Sequence, residues 1–474
     1  MKQSRHIYLI GICGTAMASL AGMLKQRGFK VSGSDTAAYP PMSDFLNSLA
    51  IEIRQPYAAA NLEPRPDLVV VGNAISRGNV ELERVLDERI PFASLPQLLY
   101  EEFLVGREPI VVAGTHGKTT TTSMLSWIFE VAGMAPSFLI GGIAENFGRS
   151  FGLGEGRQFL LEGDEYDTAF FDKGPKFLHY FPDAVILTSV EFDHADIYKN
   201  LDEVKTAFKR LVNLIPRRGI LIAHDAAGNV SEVAAKAFCP VERYGFSPEA
   251  HWRAVDVRFS QEQTTWVVLK NGEPWGKFGF SLPGDFNVLN ATAAAAMASH
   301  YGIEAPTIAK ALRTFKSVKR RQEVKAEIGG VTIIDDFAHH PTAIAETLKA
   351  LKTRYEGRRL WAVLEPRSNT LRRGVFQSEL VKSLSAADVV VLASVFQKKT
   401  DSISDGEKLD TAAVVTELNQ AGKPARQMED VDTIVATVAP ELKPGDVVAI
   451  LSNGGFGGIY EKLPRALKEA GARR

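Results

Sequence analysis

A chain of 474 residues is long enough for about three domains of ~150 residues each. The net charge of −1 argues against a nucleic-acid surface, and the two cysteines, Cys13 and Cys239, are too few for a disulfide framework and suit a reducing cytoplasm. The first apolar run is short and broken by glycine, which argues against a signal peptide or a membrane span. We therefore expect a cytoplasmic protein, monomeric or weakly dimeric, with neither nucleic acid nor a membrane as its partner.

The opening segment has the βαβ pattern of a nucleotide-binding unit. Residues 6–10 predict a strand, 11–15 a glycine-containing turn, 16–27 a helix and 29–32 a second strand, with Asp35 just beyond it. A turn before a helix N-terminus offers backbone N–H groups to an anion. The pattern therefore predicts a phosphate-containing ligand at this turn.

Two positions in the turn depart from the dinucleotide fingerprint. Cys13 and Ala16 stand where its second and third glycines belong, which argues against a dinucleotide and leaves a diphosphate or UDP-type ligand. The alternative is a doubly wound domain whose glycines only permit a tight turn. A further strand over 67–71 precedes a polar turn that contains Asn73, and we expect this first domain to span 1–106.

The next unit has the order of a phosphate loop. Residues 110–112 predict a buried strand, 114–117 a tight turn, and 119–132 a helix closed by Gly133. Lys118 adds a full positive charge for the β- and γ-phosphates of a nucleotide.

Two further details refine this prediction. A hydroxyl at Thr119 can bind Mg²⁺, and Val112 in place of the usual first glycine makes this the shorter Gly-x-x-Gly-Lys-Thr form of the loop. A chance Gly-Lys-Thr in a surface turn is the alternative. The strand, glycines, lysine and helix in this order favour the phosphate loop.

Carboxylates follow two more predicted strands. The strand over 158–161 ends in the acidic stretch 162–167, and the strand over 184–190 ends in 191–196. Because the carboxyl ends of parallel strands meet at one edge, one glutamate of these stretches and His194 can share a Mg²⁺ that faces the phosphate loop. The alternative for His194 is a polar loop residue that bonds to a neighbouring aspartate.

After Gly219 the pattern becomes antiparallel. Strands over 264–269 and 276–280 flank Asn271-Gly272, which predicts a β-hairpin. An alanine-rich helix then runs to about residue 301, and Asn287 and Asn290 lie on its first turn, where their amides can contact a base edge. Helix capping by Asn287 is the alternative.

A basic stretch over 315–323 separates the predicted central domain, 107–322, from the C-terminal domain, 323–474. Either it is a hinge, or its charges belong to a solvated linker. Beyond it, polar loops follow four predicted strands and should meet at one sheet edge. These strands cover 331–335, 360–364, 388–393 and 447–451.

Three stretches resemble the Mur ligases, the ATP-dependent amide-forming enzymes of bacterial cell-wall precursor synthesis. They are Gly-Thr-His-Gly-Lys-Thr-Thr-Thr-Thr at 114–122, Glu-Phe-Asp-His-Ala-Asp at 191–196 and Asp-Asp-Phe-Ala-His-His-Pro-Thr at 335–342. The resemblance runs through the chain in order. It implies an α/β fold of three domains: a Rossmann-like UDP-binding domain, a P-loop ATPase-type central domain and a Rossmann-like C-terminal domain.

Two members of that family share the histidine in the phosphate loop and the His-His-Pro-Thr segment. One adds L-alanine to UDP-N-acetylmuramate, and the other attaches recycled L-alanyl-γ-D-glutamyl-meso-diaminopimelate to the same acceptor during peptidoglycan recycling. The stretches at 11–15, 162–171, 365–370 and 452–458 resemble the second, which makes UDP-N-acetylmuramate and this cell-wall tripeptide the expected partners. The L-alanine ligase is the alternative.

The resemblance also implies a mechanism and a set of residues. The muramate carboxylate attacks the γ-phosphate of ATP to give an acyl phosphate, and the incoming amine displaces phosphate. Lys118, Glu162, His194 and Arg321 are the implied catalytic residues, and Thr119, Glu162 and His194 the implied Mg²⁺ ligands. The residues implied for ATP are Gly114, Thr115, His116, Gly117, Lys118, Thr119, Thr120, Asn287, Asn290, Arg321 and Asp336. Those implied for the acceptor and amine substrates are Gly11, Gly14, Thr15, Ser34, Asp35, Asn73, His339, Arg367 and Asn453.

Several family members carry a carbamylated lysine near the metals, and Lys209 falls near that place along the chain. An exposed helix lysine is the favoured interpretation. For the amine substrate, cations after two strands of the third domain are suited to carboxylates. These are Arg367, Arg372, Arg373, Lys398 and Lys399.

Two other classes of protein stay open on the sequence alone. The opening glycines are compatible with an NAD-binding oxidoreductase, although Cys13, Ala16 and the unexplained Lys118 argue against it. The second class is a nucleotide-gated binding or regulatory protein without chemistry of its own. The many polar loops after strands argue against that class.

Overall fold

The computed structural model describes residues 5–38, 42–225, 228–397 and 403–472. Three large β-sheets follow one another along the chain, each covered by helices, which confirms the predicted α/β class. None of the helices in the described ranges combines the length and the apolar character that crossing a bilayer requires. The predicted domain boundaries fall between the sheets and stay predictions.

The first sheet is wholly parallel because each of its strands is joined to the next by a crossover. In the described residues its order is β3-β2-β1-β4-β5. The central strands β1 and β4 are apolar on both faces, since helices cover both sides. The elements are β1 His6–Ile10, α1 Thr15–Gln26, β2 Lys30–Ser34, α2 Met42–Ser48, β3 Glu52–Arg54, β4 Leu68–Val71, α3 Val80–Asp87, β5 Phe92–Ser94 and α4 Leu95–Leu99.

The middle sheet has the order β17-β16-β15-β14-β13-β12-β6-β9-β7-β8 among the described residues. Its strands are β6 Glu108–Ala113, β7 Ser137–Ala144, β8 Arg149–Gly152, β9 Gln158–Gly163, β12 Ala184–Leu187, β13 Ile220–His224, β14 Val241–Gly245, β15 Trp252–Phe259, β16 Thr264–Lys270 and β17 Glu273–Phe280, and a separate hairpin pairs β10 Asp167–Ala169 with β11 Asp172–Pro175. The helices are α5 Lys118–Val131, α6 Leu201–Asn213, α7 Gly228–Ala234, α8 Asp285–His300 and α9 Ala305–Arg313.

The middle sheet corrects three predictions. β13, β14 and β15 pair in parallel, so the antiparallel part begins only with β16 and not directly after Gly219. β12 ends at Leu187 and leaves 188–196 as one long loop. Glu162 lies inside β9 and not beyond it, because β9 continues its parallel pairing with β6 to Gly163. The hairpin at Asn271-Gly272 is confirmed, with both residues at positive φ.

The third sheet has the order β18-β19-β23-β20-β21-β22 over the part of the chain that the structure describes. β18 is antiparallel to β19 and begins at Glu323, the last residue of the predicted hinge or linker. β18 and β22 are edge strands that the sequence did not indicate. The elements are β18 Glu323–Ile328, β19 Val331–Asp336, α10 Pro341–Arg354, β20 Leu360–Leu364, α11 Gln377–Leu384, β21 Val389–Ala393, α12 Thr411–Gln420, β22 Ala425–Met428, α13 Val431–Glu441, β23 Val447–Leu451 and α14 Ile459–Ala472.

Contacts between domains place the carboxyl ends of the middle and third sheets against each other. Thr370, from the loop after β20, donates its hydroxyl to Asp193 Oδ1 over 2.7 Å and accepts the Ala195 N–H over 3.2 Å. Asn369 Nδ2 donates to Asp196 Oδ2 over 2.7 Å. The loop after β12 is therefore shared between the two domains.

Candidate active site

The phosphate loop connects β6 to α5 at the centre of the middle sheet. Gly117 has φ of +80°, and a Cβ there would lie 2.6 Å from Asn290 Oδ1, so only glycine fits this approach. Within the described chain no side chain caps the start of α5. Its first N–H groups and the adjacent Lys118 thus form a donor set that suits a phosphate.

Lys118 is held in a buried ion pair at this loop. Its Nζ lies 2.9 Å from Glu165 Oε2 and also donates to the carbonyl of Gly114 over 2.6 Å. The Glu165 side chain is only 2% exposed. Burial opposes the charge on Lys118, but Glu165 and nearby acids outweigh it and raise the pKa of Lys118. The lysine is therefore charged, and a bound phosphate would replace some of the hydrogen bonds that Lys118 makes to the loop and to Glu165.

Glu165 also bonds to His194, which places the predicted metal histidine next to the phosphate-loop lysine. His194 Nε2 lies 3.2 Å from Glu165 Oε1. Burial opposes the charge on His194, but Glu165 and Asp193 raise the pKa of His194 to about 9. Glu165 was one of several acids in a predicted loop, and nothing in the sequence distinguished it from Asp164 or Asp167.

The second predicted metal ligand lies on the other side of the helix start. Glu162 Oε1 accepts the Thr119 hydroxyl over 2.9 Å, and Arg321 Nη2 lies 3.2 Å from the same Thr119 Oγ1. The other Glu162 oxygen accepts the Gly141 N–H over 2.8 Å. Thr119, Glu162 and Arg321 thus form one hydrogen-bonded group, next to Lys118.

The predicted hinge supplies two adjacent arginines with different partners. Arg320 donates from Nε to Asp335 over 3.2 Å, and from Nη2 to the carbonyls of Ser452 and Gly454 over 2.7 and 2.8 Å. Arg321 instead contacts the phosphate loop. Arg320 has a positive φ of 64°, and Ser317 and Gln322 on either side are also positive. Strained backbone of this kind persists where surrounding contacts hold it.

The residues assigned to the base and ribose cluster around Gln322. Asn287 Nδ2 lies 3.3 Å from Gln322 Oε1, and the Gln322 N–H donates to Asp336 Oδ2 over 2.8 Å. Asp336 is the last residue of β19 and not a loop residue as predicted, and burial raises its pKa. Among the described residues the buried amide nitrogens Asn290 Nδ2 and Gln322 Nε2 have no hydrogen-bond partner. Buried unpaired amides suit a base or a sugar that accepts from them.

A cavity of about 250 Å³ opens between the middle and third domains beside His194. In its lining, Asp193 Oδ2 lies 4.0 Å from His339 Nε2, and the Arg367 guanidinium lies 3.8 Å from the centre of the Phe396 ring. Asn453 Oδ1 is buried and has no hydrogen-bond partner among the described residues. The lining residues are Tyr166, Asp193, His194, His339, Arg367, Ser368, Asn369, Thr370, Phe396 and Asn453.

Of the three predicted cations that the structure describes, Arg367 lines this cavity. Arg372 is 1% exposed and so has no access to a ligand, and Arg373 lies 4.0 Å from Glu407 outside the lining. Lys398 and Lys399 lie outside the described residues. Gly454, in the predicted glycine-rich turn, lets the Arg367 side chain pack close, since a Cβ there would lie 2.2 Å from Arg367 Nε.

The residues assigned to the acceptor lie at the carboxyl edge of the first sheet. Gly14, Thr15 and Asn73 are exposed there, at the start of α1 and after β4. Ser34 is fully buried and donates its hydroxyl to Glu81 over 2.5 Å, so this side chain is already engaged. Asp35 accepts the Cys13 N–H over 2.9 Å, and Gly11, with φ of +82°, begins the turn that contains Cys13.

Lys209 lies on α6, where its Nζ is 2.5 Å from Glu232 on α7. This pair, in which the Lys209 side chain is 29% exposed, supports the favoured interpretation of an ordinary helix lysine. We expect Lys209→Ala to keep wild-type turnover and Mg²⁺ dependence. A rate that falls and recovers with added bicarbonate would instead indicate a carbamate.

Family models match all three parts of the chain. The Mur ligase family catalytic domain matches residues 6–103, the Mur ligase middle domain 112–298, and the Mur ligase glutamate ligase domain 320–454. The chain belongs to the Mur ligase family. It is therefore an ATP-dependent ligase that forms an amide bond, which excludes the oxidoreductase and the regulatory protein.

Individual relatives share nearly the whole chain. It is 43% identical to the UDP-N-acetylmuramate–L-alanyl-γ-D-glutamyl-meso-2,6-diaminoheptandioate ligase of Escherichia coli (strain K12), covering 96% of this chain and 97% of the relative. A solved murein peptide ligase from Psychrobacter arcticus 273-4 is 37% identical, with a TM-score of 0.74 over 98% of this chain and 99% of that one. The UDP-N-acetylmuramate–L-alanine ligase of Geobacter sp. (strain M21) is 33% identical, covering 98% of each chain.

Proposed function

We propose that this protein joins L-alanyl-γ-D-glutamyl-meso-diaminopimelate to UDP-N-acetylmuramate through an acyl phosphate, with release of ADP and phosphate. The acceptor would bind at the carboxyl edge of the first sheet, ATP at the phosphate loop, and the tripeptide in the cavity beside His194. We further propose that the enzyme acts in the cytoplasm as a monomer or weak dimer. Light scattering of the purified chain tests that assembly state.

The donor set around α5 supports ATP and Mg²⁺ as its ligands. The uncapped helix start and the charged Lys118 suit the phosphates, and Arg321 adds a second cation beside Thr119. Thr119, Glu162 and His194 are the residues that would hold Mg²⁺, which neutralises phosphate charge when it is bound. His194 would first have to lose the proton that its bond to Glu165 stabilises. The unpaired amides of Asn290 and Gln322 suit the adenosine end.

The proposal that the tripeptide is the amine substrate rests on the position of Arg367. The tripeptide brings three carboxylates besides its reacting amine, whereas L-alanine brings one. Arg367 and His194 line the same cavity. A peptide whose reacting amine lies near the phosphate loop can therefore place one of its carboxylates on the Arg367 guanidinium. Asp193 in the same lining suits the second amine of diaminopimelate.

We expect kcat/KM for the tripeptide to exceed that for L-alanine by a large factor. Arg367→Ala should lower the tripeptide value by about tenfold to a few hundredfold, as expected for loss of a charged hydrogen bond of ~1.5–3 kcal/mol. The rate with L-alanine should change little. The measurement is ligated product formed from UDP-N-acetylmuramate, ATP, Mg²⁺ and each amine.

Arg373→Ala is the matched control, since it removes an arginine of the same loop that lies outside the cavity lining. It should leave the ratio of the two kcat/KM values unchanged. If L-alanine proves the better amine donor, the protein is the alanine-adding ligase. If both arginine variants lower the ratio equally, the cavity is not the tripeptide site.

A further inference from the structure

A cluster of metal-ligand side chains lies beside the phosphate loop, separate from Glu162 and His194. It joins His116 of the loop, Glu191 after β12, and His340 at the start of α10. Glu191 Oε2 lies 3.3 Å from His116 Nε2 and 3.8 Å from His340 Nδ1. All three ligand atoms lie within 4.8 Å of one another. Two imidazoles and a carboxylate on one centre are a common ligand set for a transition metal.

The hydrogen bonds of His340 place a lone pair on the nitrogen that faces Glu191. His340 Nε2 lies 3.2 Å from the Phe192 carbonyl, and a carbonyl only accepts, so Nε2 carries the hydrogen. The lone pair is then on Nδ1, the atom that faces Glu191. Histidines that bind metals usually donate their other N–H to a carbonyl or a carboxylate. An ion on Nδ1 would replace only a 3.3 Å bond from the Thr342 N–H.

The position of Glu191 in this cluster is fixed by its hydrogen bonds. An ion between His116 Nε2 and Glu191 Oε2 would replace the 3.3 Å hydrogen bond that joins these two atoms. The Thr342 hydroxyl donates to Glu191 Oε2 over 2.7 Å and fixes that carboxylate.

We propose that His116, Glu191 and His340 bind a divalent transition metal ion such as Zn²⁺. Imidazole nitrogens favour such an ion over Mg²⁺, which prefers oxygen. His116 and Glu191 belong to the middle domain and His340 to the third, so the ion joins the two domains across the phosphate loop. Zn²⁺ is then expected to inhibit ligation at constant Mg²⁺, because the ion would resist separation of the third domain from the phosphate loop.

The test uses the full-length protein without nucleotide, in excess Mg²⁺, titrated with Co²⁺ and followed by visible absorption. We expect wild type to bind one Co²⁺ with nitrogen-ligand bands that Zn²⁺ displaces. His116→Gln and Glu191→Gln should each weaken this binding by about tenfold or more, and Thr342→Val by about tenfold. His179→Gln is the control, since His179 pairs with Asp172 at 2.7 Å on a different surface.

Thermal unfolding without metal, compared with wild type, shows that each variant is folded. His340→Gln would remove a side-chain cap of α10 as well as a ligand, so a loss of binding in it could come from the helix. The conclusion therefore rests on the other variants. Absence of Co²⁺ binding to wild type overturns the proposal. Unchanged Co²⁺ binding in both His116→Gln and Glu191→Gln also overturns it. Loss of the Co²⁺ bands in His194→Ala, with the bands kept in those two variants, overturns it as well. Because no ATP or amine is present, either failure leaves the ligase proposal untouched.

Discussion

Replacing Lys118 by alanine is expected to abolish amide ligation while leaving binding of the UDP-sugar acceptor nearly unchanged. Lys118 supplies the charge closest to the start of α5, whereas the acceptor residues lie in the first domain. Loss of a positioned charge that stabilises the transferring phosphoryl group costs about a hundredfold or more in rate, or ~2.7 kcal/mol. Product formation and acceptor binding by calorimetry are the two measurements.

The ion pair with Glu165 dictates the control for this experiment. Lys118→Ala alone leaves a carboxylate that is only 2% exposed without its cation, and such changes destabilise proteins by about 3–5 kcal/mol. The double variant Lys118→Ala, Glu165→Gln removes that charge as well and should regain stability in thermal unfolding while staying inactive. More than about a tenth of wild-type activity in the folded double variant, a barrier change under ~1.4 kcal/mol, would disprove the phosphate-loop assignment.

Glu162→Ala and His194→Ala are each expected to raise the Mg²⁺ concentration required for half-maximal activity, with a non-additive effect when they are combined. Among the described residues, hydrogen bonds join Glu162 to Thr119 and His194 to Glu165, and no bond joins Glu162 to His194. Any coupling between the two substitutions therefore passes through something that both contact, and a shared ion is the simplest such group.

Lys209→Ala serves as the reference variant for Mg²⁺ dependence, because Lys209 pairs with Glu232 on the neighbouring helix α7. The double variant should need no more Mg²⁺ than the worse single variant, within error. Strict additivity would place the two side chains on different ions. A His194→Ala enzyme with normal Mg²⁺ dependence would reassign His194 to holding Glu165 and the surrounding loop.

The parts of the fold that could be predicted from sequence are those where one local pattern decides. α5 was predicted within one residue and β6 within two, because a buried apolar strand and a glycine turn before a helix leave few alternatives. The apolar strands β20 and β23 of the third sheet match their predicted ranges for the same reason. Edge strands such as β18 and β22 were missed, since their mixed sequences become strands only by pairing with a neighbour.

The sequence predicts which loops form the site, but not which side chains of those loops reach it. Which acid of 162–167 contacts Lys118 depends on how the chain leaves β9, and that path is set by tertiary contacts. Arg372 belongs to a loop that was correctly placed at the sheet edge, yet its side chain is buried, whereas Arg367 of the same loop lines the cavity. The contact of His116 with His340 joins residues far apart in sequence, so no local pattern indicates it.

The adjacent arginines of the hinge limit how this chain can be recombined with its relatives. Every side-chain hydrogen bond of Arg320 described above reaches the third domain, whereas the bond of Arg321 reaches Thr119 in the middle domain. A chimera cut between the predicted domains at 322 would carry Arg320 away from the partners it evolved with. A third domain taken from a relative should therefore be joined before Ser317, so that both arginines come from that relative. The residue that replaces Arg321 must then still reach Thr119 in the phosphate loop of this chain.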